Sequence, residues 1–558
     1  MGSADILTGA KLRMLRKEPS SSRRILIVDD FADMRMAIRR MLRELGEENV
    51  DFAGNGKDAI TKMQRTVFDI VLCDYNLGDG KDGHQILEEA HHMGFITPSC
   101  IFILITAETS VPNVLGAIEC QPDDYIAKPF TKELLHLRLR KAMERKGSLI
   151  EIYQAVRKEN YKDAISLAEE KLKNKSRYMF DIAKVLGGLY IKTKEYEAAK
   201  NFYQKILGQS NFNWAKFGLG QAHYYLGEYN AAANVFEELI RENQYFIDAY
   251  DWAAKCSLAT DDAAQAQQKL AAAARLSPKT ISRQLDLGEL ARKNGDLDTA
   301  RGAFRAAIQY GTHSCFKSAR EYLGLTDVLL EQGNTKKAMA NLKEAREQLA
   351  EQPADLLQVI TATATAHQEK GRSAEALDFL KQAEKLYQAH SGSISDDVSL
   401  GLAKVALKLD DTEFGAAVVG NLAENNHDDD VLVEKLKDLI TETGHAKTLS
   451  GVLDQSIKAL RALNKEGIKL AENGRLQESL ELFEKASEKA PNNKAFNLNM
   501  ALACILLMQK NGADAKLMYK ARRCLDRVAN AGKKDKRHKE LSKMLETVAT
   551  PKAGQGSE

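Results

Sequence analysis

The chain has 558 residues, with 80 lysines and arginines against 78 aspartates and glutamates, so its formal net charge is +2. This length exceeds what a single core organises, and the balanced charge by itself favours no class of partner. The seven cysteines never occur in CxxC spacing, which argues against a zinc site or a disulfide framework. The longest apolar stretches, 100–107 and 500–508, are too short to cross a bilayer, so we expect a cytoplasmic protein without membrane insertion.

Short apolar runs characterise the first quarter of the chain. After a predicted flexible extension over residues 1–23, such runs occur at 25–28, 50–52, 70–73, 101–105 and 125–126, separated by amphipathic segments. Continuous apolar strands alternating with helices are typical of a parallel sheet covered on both faces. The sequence therefore predicts a doubly wound, five-stranded α/β domain over residues 24–146.

Polar residues follow the predicted strands at their carboxyl ends. Asp29 and Asp30 follow the first strand, Asp74 ends the third, Thr106 ends the fourth and Lys128 follows the fifth. Doubly wound sheets place their ligands at this edge. Three carboxylates brought within about 4 Å repel by roughly 4 kcal/mol per pair at an intermediate dielectric, so a cation is needed. Mg²⁺, which prefers one or two carboxylates together with phosphate oxygens and water, predicts a phosphoryl-transfer site.

The segments 25–30, 69–74, 105–107 and 124–130 resemble the CheY-like receiver family of response regulators. The resemblance implies that Asp74 is the nucleophile that takes a phosphoryl group from a histidine kinase or a phosphotransfer protein. It also implies that Asp30 binds Mg²⁺ directly and Asp29 through water. The backbone carbonyl of Asn76 and the Asp74 carboxylate complete the protein ligands.

The resemblance assigns further roles around the phosphoacceptor. Lys128 is expected to pair with the phosphoryl oxygens and Thr106 to swing toward them. Tyr125 is then expected to move inward, and the bond before Pro129 is expected to be cis. The loop after Asp74 departs from the family, because Gly78 stands where proline is usual and 80–83 places Asp-Gly one residue later.

After residue 146 the composition becomes helical and repetitive. Small residues recur every 33 to 38 positions, usually with a larger apolar residue four positions later, at Ala164, Ala199, Ala232, Ala266, Ala300, Ala338 and Ala376. Twelve positions earlier, a glycine occurs in three of these repeats. A period near 34 indicates helix hairpins stacked on copies of themselves. The pattern resembles the tetratricopeptide repeat (TPR) family, with Leu186, Gly187, Tyr190, Ala199 and Tyr203 matching its consensus.

We therefore predict an all-α TPR superhelical solenoid of about nine hairpins over residues 147–530, following the receiver. The repeats are degenerate around 394–460 and recover near Gly467 and Phe483. Residues 531–558 are predicted to be the basic end of a capping helix and a disordered tail. Gly147 and Ser148 are predicted to form a hinge between the receiver and the array.

The absence of a catalytic motif beyond the receiver predicts that the chain is not an enzyme, apart from phosphorylation and dephosphorylation of the receiver itself. A solenoid presents an extended concave surface, so we expect its groove to bind an unidentified protein in a phosphorylation-dependent way. Aromatic residues are frequent binding anchors, and the candidates are Trp214, Tyr224, Tyr225, Tyr250 and Trp252.

Two alternatives remain open at this stage. In the first, Asp74 is a phosphate sink or modulates a kinase and the array is a scaffold; Asn76 and Glu108 flank the site as in fast-turnover chemotaxis receivers. In the second, the output binds nucleic acid through the basic segment 533–539. That segment lacks interleaved aromatic residues and any helix-turn-helix signature, which argues against the second alternative.

Overall fold

The computed structural model describes residues 23–107, 116, 119, 121–174, 177–530 and 535–549. Nearly all of the predicted N-terminal extension, Glu108, and residues 531–534 and 550–558 lie outside this description. The chain divides into two units, Met1–Lys317 and Ser318–Glu558, which are described separately.

The first unit begins with the predicted parallel sheet. Its strands are β1 (Ile25–Val28), β2 (Val50–Ala53), β3 (Ile70–Asp74), β4 (Ile101–Thr106) and β5 (Asp124–Ala127). All neighbouring strands pair in parallel, in the order β2-β1-β3-β4-β5. The described helices between the strands are α1 (Ala32–Glu44), α2 (Gly56–Arg65) and α3 (Gly83–His92). This confirms the predicted α/β fold.

Alternating side chains of the central strands fill two separate cores. Leu26 and Val28 face one side of the sheet and pack with residues of α2 and α3. Ile25 and Ile27 face the other side, where α1 and the helix after β5 cover them. Because both faces are buried, the strands are continuously apolar instead of alternating in polarity.

The helix after β5, α4 (Lys132–Arg157), belongs to both parts of the first unit. Its first half contributes Leu139 and Ala142 to the core of the sheet. Its second half contributes Leu149 and Ile152 to the core of the first hairpin. The predicted hinge at Gly147 and Ser148 is therefore wrong, because the helix runs through both residues without interruption.

The array continues as helix hairpins. In the first unit its helices are α5 (Tyr161–Lys173), α6 (Met179–Lys192), α7 (Tyr196–Leu207), α8 (Asn213–Tyr225), α9 (Tyr229–Glu242), α10 (Ile247–Ala259), α11 (Ala263–Leu276), α12 (Ile281–Lys293) and α13 (Leu297–Gly311). Turns of three or four residues connect most of them, as expected for antiparallel neighbours.

The second unit is helical throughout its described residues. Its α-helices are α14 (Ala319–Glu331), α15 (Thr335–Gln348), α16 (Pro353–Gln368), α17 (Ser373–His390), α18 (Asp396–Lys408), α19 (Thr412–Asn425), α20 (Asp430–Glu442), α21 (Ala446–Glu472), α22 (Leu476–Lys489), α23 (Lys494–Asn511), α24 (Ala515–Asn530) and α25 (Lys536–Ala549). Helix pairs thus continue through the stretch 394–460 although the consensus is lost there. Among the described residues, no helix has both the length and the apolar character needed to cross a membrane.

The structure corrects the sequence prediction for part of the C-terminal tail. The sequence predicts the end of a helix and disorder over 531–558, but Lys536–Ala549 form the separate helix α25. Leu541 and Leu545 of this helix are buried against α23 and α24. Apolar residues four positions apart cover the end of the array, and the basic residues around them mask this pattern in the sequence.

A fixed spacing between a glycine and an aromatic residue explains part of the repeat pattern. In four hairpins the glycine of the first helix faces a ring sixteen residues later in the second helix. The pairs are Gly187 with Tyr203, Gly220 with Phe236, Gly288 with Phe304 and Gly467 with Phe483. A Cβ atom at any of these glycines would lie only 2.5 to 2.9 Å from the nearest ring carbon. The two helices can therefore approach this closely only because the side chain is absent.

Candidate functional site

The predicted polar residues meet at the carboxyl edge of the sheet because the strands are parallel and in register. Asp74 pairs with Ile105 in the β3–β4 ladder, and Thr106 is the next residue of β4. Oxygen atoms of Asp29, Asp30 and Asp74 all lie within 4.8 Å of one another. Asp29 and Asp74 are buried, whereas Asp30 is exposed at the mouth of the site.

Lys128 neutralises the two buried carboxylates together. Its Nζ lies 2.8 Å from Asp29 Oδ2 and 2.7 Å from Asp74 Oδ2, and its side chain is only 14% exposed. The backbone of Lys128 is anchored as well, because its N–H donates to the carbonyl of Thr106 at 2.7 Å. The backbone of Lys128 is thus held at the end of β4, and its ammonium group lies between the carboxylates that follow β1 and end β3.

The electrostatics of the site oppose ionisation of Asp74. Burial raises the pKa of Asp74 above its usual 3.8, and the charge of Asp29 adds to this, although Lys128 and the Asn76 N–H act in the opposite direction. Burial lowers the pKa of Lys128, but its hydrogen bonds to Asp29 and Asp74 outweigh this and the net shift is upward. Both directions are consistent with one ammonium group shared between two carboxylates, which keeps Lys128 charged but does not offset the burial of Asp74.

The loop after β3 is closed by a tight backbone contact. The N–H of Gly83 donates to the Tyr75 carbonyl at 2.8 Å, and a Cβ atom on Gly83 would lie 2.4 Å from the Asp74 carbonyl oxygen. Gly78 has a φ of +70°, which proline cannot adopt. The departures from the usual receiver pattern therefore correspond to a loop with its own conformation that still returns beside Asp74.

The remaining predicted residues of the receiver surround this centre. Thr106 is buried at the end of β4, and Tyr125 is half-buried on β5 next to the core that contains Leu104. The Lys128–Pro129 peptide bond is cis. The Asn76 N–H lies 3.4 Å from Asp74 Oδ1. The predicted residues that end or follow the strands thus lie at one edge of the sheet, whereas Tyr125 lies two residues before the end of β5.

Comparison with known proteins shows which family this region resembles. The profile of the family described as "Response regulator receiver domain" matches residues 25–140. Chemotaxis protein CheY-3 of Vibrio cholerae is 34% identical over 128 residues, which cover 22% of this chain and 92% of that protein. The chain belongs to the response regulator receiver family.

Solved structures and repeat profiles extend the comparison. A CheY-like receiver domain protein from Methanospirillum hungatei has 28% identity, covering 23% of this chain and 98% of its own, with a TM-score of 0.21. Profiles described as "Tetratricopeptide repeat" match residues 185–212 and 285–355. A tetratricopeptide repeat protein from Parabacteroides merdae has 17% identity, covering 43% of this chain and 93% of its own, with a TM-score of 0.29. The chain is thus a receiver fused to TPR repeats, as the sequence predicts.

The residues of the receiver site fit a divalent cation that prefers oxygen. Three carboxylates converge, and Asp30 leaves its oxygens open to solvent while Lys128 occupies one oxygen each of Asp29 and Asp74. A hard cation such as Mg²⁺ takes one or two carboxylates and fills its other positions with water and phosphate oxygens. The donor set at this edge matches that requirement.

A second group of carboxylates has a different character. Glu119 of the receiver, with Asp248 and Asp251 of α10, places oxygens within 4.8 Å of one another. Arg283 of α12 neutralises two of them, since its guanidinium contacts Glu119 at 2.5 Å and Asp251 at 2.7 Å. This group is an ion-pair cluster between the receiver and the repeats. Sequence analysis missed it because Arg283 occupies an ordinary position of a repeat helix.

The predicted aromatic anchors differ in exposure. Tyr225 is 43% exposed and stacks on Tyr196 at 5.0 Å between ring centres. Tyr224 and Trp252 are half-buried and pack together at 5.3 Å within the core of the α9–α10 region. Trp214 is half-buried against Phe212 and Tyr203, and the Tyr250 hydroxyl donates to the Gln244 carbonyl. Of the five candidates, only Tyr225 is exposed, and the other four are half-buried.

Proposed function

We propose that the chain is a response regulator that accepts a phosphoryl group on Asp74 and uses its TPR repeats to bind a protein partner in a phosphorylation-dependent way. The phosphoryl donor is a histidine kinase or a phosphotransfer protein. The observation that carries the proposal is the position of Lys128, which lies between Asp29 and Asp74 while Asp30 remains open to solvent.

The transfer follows from the position of these groups. An oxygen of the Asp74 carboxylate attacks the phosphorus atom of the phosphohistidine, the P–N bond breaks, and the departing imidazole nitrogen takes a proton from solvent. Lys128 then exchanges its contact with Asp74 for the oxygens of the new phosphoryl group. Asp30, Asp74 and the Asn76 carbonyl would hold Mg²⁺ directly and Asp29 would hold it through water, and the bound ion would neutralise charge during the transfer. Thr106, at the end of the adjacent strand, supports the phosphoryl group with its hydroxyl.

The repeats are the part of the chain that offers a surface for an output. Stacked helix hairpins present a groove, and in the first unit the aromatic surface that includes Tyr225 and Tyr196 supplies apolar contact area. We expect the partner to be a protein, because stacked helix hairpins present side chains along a surface instead of enclosing them in a cavity. A coupling free energy of roughly 1–3 kcal/mol between the two domains would change partner affinity about 5- to 150-fold.

Labelling with a small phosphodonor tests the phosphorylation. The full chain with acetyl phosphate and Mg²⁺ should gain one phosphoryl group, and Asp74→Asn should gain none. Asp79→Asn is the matched control, because Asp79 is an exposed aspartate in the same loop. Labelling that persists in Asp74→Asn would refute the assignment.

Affinity capture tests the output. Phosphorylated chain and Asp74→Asn are used as baits in the same cell extract, and proteins that differ between them are identified by mass spectrometry. The affinity of the purified partner is then measured with and without acetyl phosphate. An affinity independent of phosphorylation would favour the phosphate sink, in which the repeats only position the receiver.

A further inference from the structure

The repeats contact the receiver a second time, far from the shared helix α4. The contact joins the turn between α11 and α12 and the end of α13 to the loop after β3, to α3 and to Glu119. All of these elements belong to the first unit. The residues that meet here are 158 to 232 positions apart in the sequence. Their contact is therefore not a consequence of being close along the chain.

Lys279, in the turn before α12, forms the contact nearest to the phosphoacceptor. Its Nζ donates to Asp82 Oδ2 at 3.1 Å and to the Tyr75 hydroxyl at 3.2 Å, and lies 4.7 Å from the centre of the Tyr75 ring. Burial lowers the pKa of Lys279, but the neighbouring Asp82 and Tyr75 raise it by more. The lysine is thus held as a cation between the two ends of the loop that follows Asp74.

A buried ion pair reinforces the contact beside Lys279. Arg283 is 4% exposed and binds Glu119 of the receiver through the same Nη2 that binds Asp251 of α10. The hydroxyls of Ser277 and Thr280 also donate to Glu119. A charge buried to this degree needs all its partners, so this cluster fixes the orientation of the turn that carries Lys279.

Contacts along α3 complete the interface. Gln85 Nε2 donates to the Tyr310 carbonyl at 3.0 Å, and Lys81 Nζ donates to the His313 carbonyl at 2.9 Å. The His92 ring meets the Phe316 ring edge to face at 5.0 Å between centres. The repeats therefore contact α3 from its first turn to its last.

The residues that Lys279 binds are covalently and sterically joined to Asp74. Tyr75 is the next residue of the chain, and Gly83, which follows Asp82, lies against the Asp74 carbonyl. Asp82 also caps α3, because its Oδ1 accepts the Gln85 N–H at 2.9 Å while its Oδ2 is bound to Lys279. The conformation of residues 75–83 consequently depends on the repeats.

We propose that Lys279 is a positioning residue for Asp74, through which the repeats hold the loop 75–83 ready for phosphoryl transfer. This inference rests on the proposed function, because it concerns the same phosphoacceptor. Gly78 and Gly80 both have positive φ values and residues 78–80 are exposed, so this middle part of the loop makes few contacts of its own, although Tyr75 and Leu77 before it are buried. Restricting such a loop in advance removes an ordering cost from the transfer step, so the closed contact accelerates phosphorylation.

The coupling is also reciprocal. If the contact with Lys279 favours the phosphorylated receiver, phosphorylation favours the same contact by an equal factor. Because the contact also prepares the loop for the transfer step, a protein partner that pulls the turn between α11 and α12 away from the receiver would slow the gain of phosphate at Asp74. The array is in this respect a regulator of its own receiver as well as an output.

The test compares Lys279→Met with Lys200→Met in the full chain. Lys200 is the matched control, since its ion pair with Glu228 at 2.8 Å lies within the repeats and its side chain has a similar exposure. Amide exchange of a peptide spanning 75–86 is first measured without Mg²⁺ or phosphodonor. The rate of labelling is then measured with acetyl phosphate and Mg²⁺. We expect Lys279→Met to speed the exchange and slow the labelling, each by about threefold to tenfold. Lys279→Arg should restore most of both values.

The outcomes separate this inference from the proposed function. No labelling of the unmodified chain would overturn the proposed function itself. Labelling of the unmodified chain with the same rate in Lys279→Met would overturn only the inference. Faster labelling in Lys279→Met would overturn it as well, because the contact would then restrain the receiver instead of preparing it.

Discussion

Removing the ammonium group of Lys128 tests the electrostatic account of the receiver site most directly. In Lys128→Met, two carboxylates that are 1% and 7% exposed lose their shared cation while keeping their positions. At 4.8 Å and an effective dielectric of about 20, each pair of carboxylates repels by roughly 3.5 kcal/mol. Breaking a buried pair by removing one partner typically costs about 3–5 kcal/mol, so the two estimates agree.

Hydrogen exchange of strand β3 measures this cost in the intact chain, where the receiver cannot be melted separately. A loss of 3–5 kcal/mol corresponds to exchange faster by about two to nearly four powers of ten in a peptide covering 70–74. Mg²⁺ should restore part of the protection in Lys128→Met, because a divalent cation replaces the missing charge.

An exposed lysine of the same domain provides the control for this measurement. Lys132 pairs with Glu44 at 2.8 Å, but both side chains are largely in solvent, so Lys132→Met should change the exchange little. Equal exchange rates in Lys128→Met and Lys132→Met would refute the conclusion that Lys128 stabilises the folded receiver by neutralising the buried carboxylates.

Three further predictions concern the receiver and the repeats. Because the pKa of Asp74 is raised, its protonated form stabilises the folded receiver below about pH 3.8, and this stability is lost as the pH rises through the raised pKa. Without Mg²⁺, Asp74→Asn should therefore protect β3 from exchange better than the native residue at pH 7 but not at pH 3; the reverse order would contradict the shift. Gly147→Ala should stabilise α4 by about 0.5–1 kcal/mol in the same exchange assay and leave phosphorylation-dependent binding intact, since no atom lies within 4 Å of the added Cβ; altered binding would restore a hinge role. Gly218→Ala should lower the free energy of unfolding by about 1–3 kcal/mol, measured by denaturation followed through tryptophan fluorescence, because its Cβ would lie 2.1 Å from Tyr203 Cζ. Gly188→Ala, with open space around it, is the control, and equal losses would contradict the packing argument.

The sequence predicted the sheet well because a strand that is buried on both faces is apolar at every position. The run Ile25–Val28 is apolar at every position, and the structure buries all four residues. The positions of Asp74 and Lys128 followed from strand ends, because parallel strands bring those ends to one edge. The glycines of the repeats were visible as a period, and the structure adds that each makes room for a ring sixteen residues later.

Two features could not be predicted, for different reasons. Gly147 suggested a hinge, yet the cost of one glycine in a helix is small beside the burial of Leu139 and Leu149 on either side of it. The contact of Lys279 with Asp82 could not be recognised in the sequence. A repeat pattern specifies which helices are neighbours along the array, but it does not specify where the array contacts another domain. Single residues of ordinary type create that contact.

Because α4 is continuous, it sets the rotation of the first repeats about the helix axis relative to the receiver as well as connecting the two. Each residue added between Ala142 and Leu149 would turn everything after it by about 100° and advance it by about 1.5 Å. Additions of about seven or eleven residues return the direction to within roughly 20° but advance the repeats by about 10 to 16 Å, which would still separate Lys279 from Asp82. An array grafted onto this receiver out of phase would carry its own equivalent of Lys279 to the wrong side of the sheet. An exchange of the repeats that keeps the contact of Lys279 therefore also has to keep the length of α4 between Ala142 and Leu149.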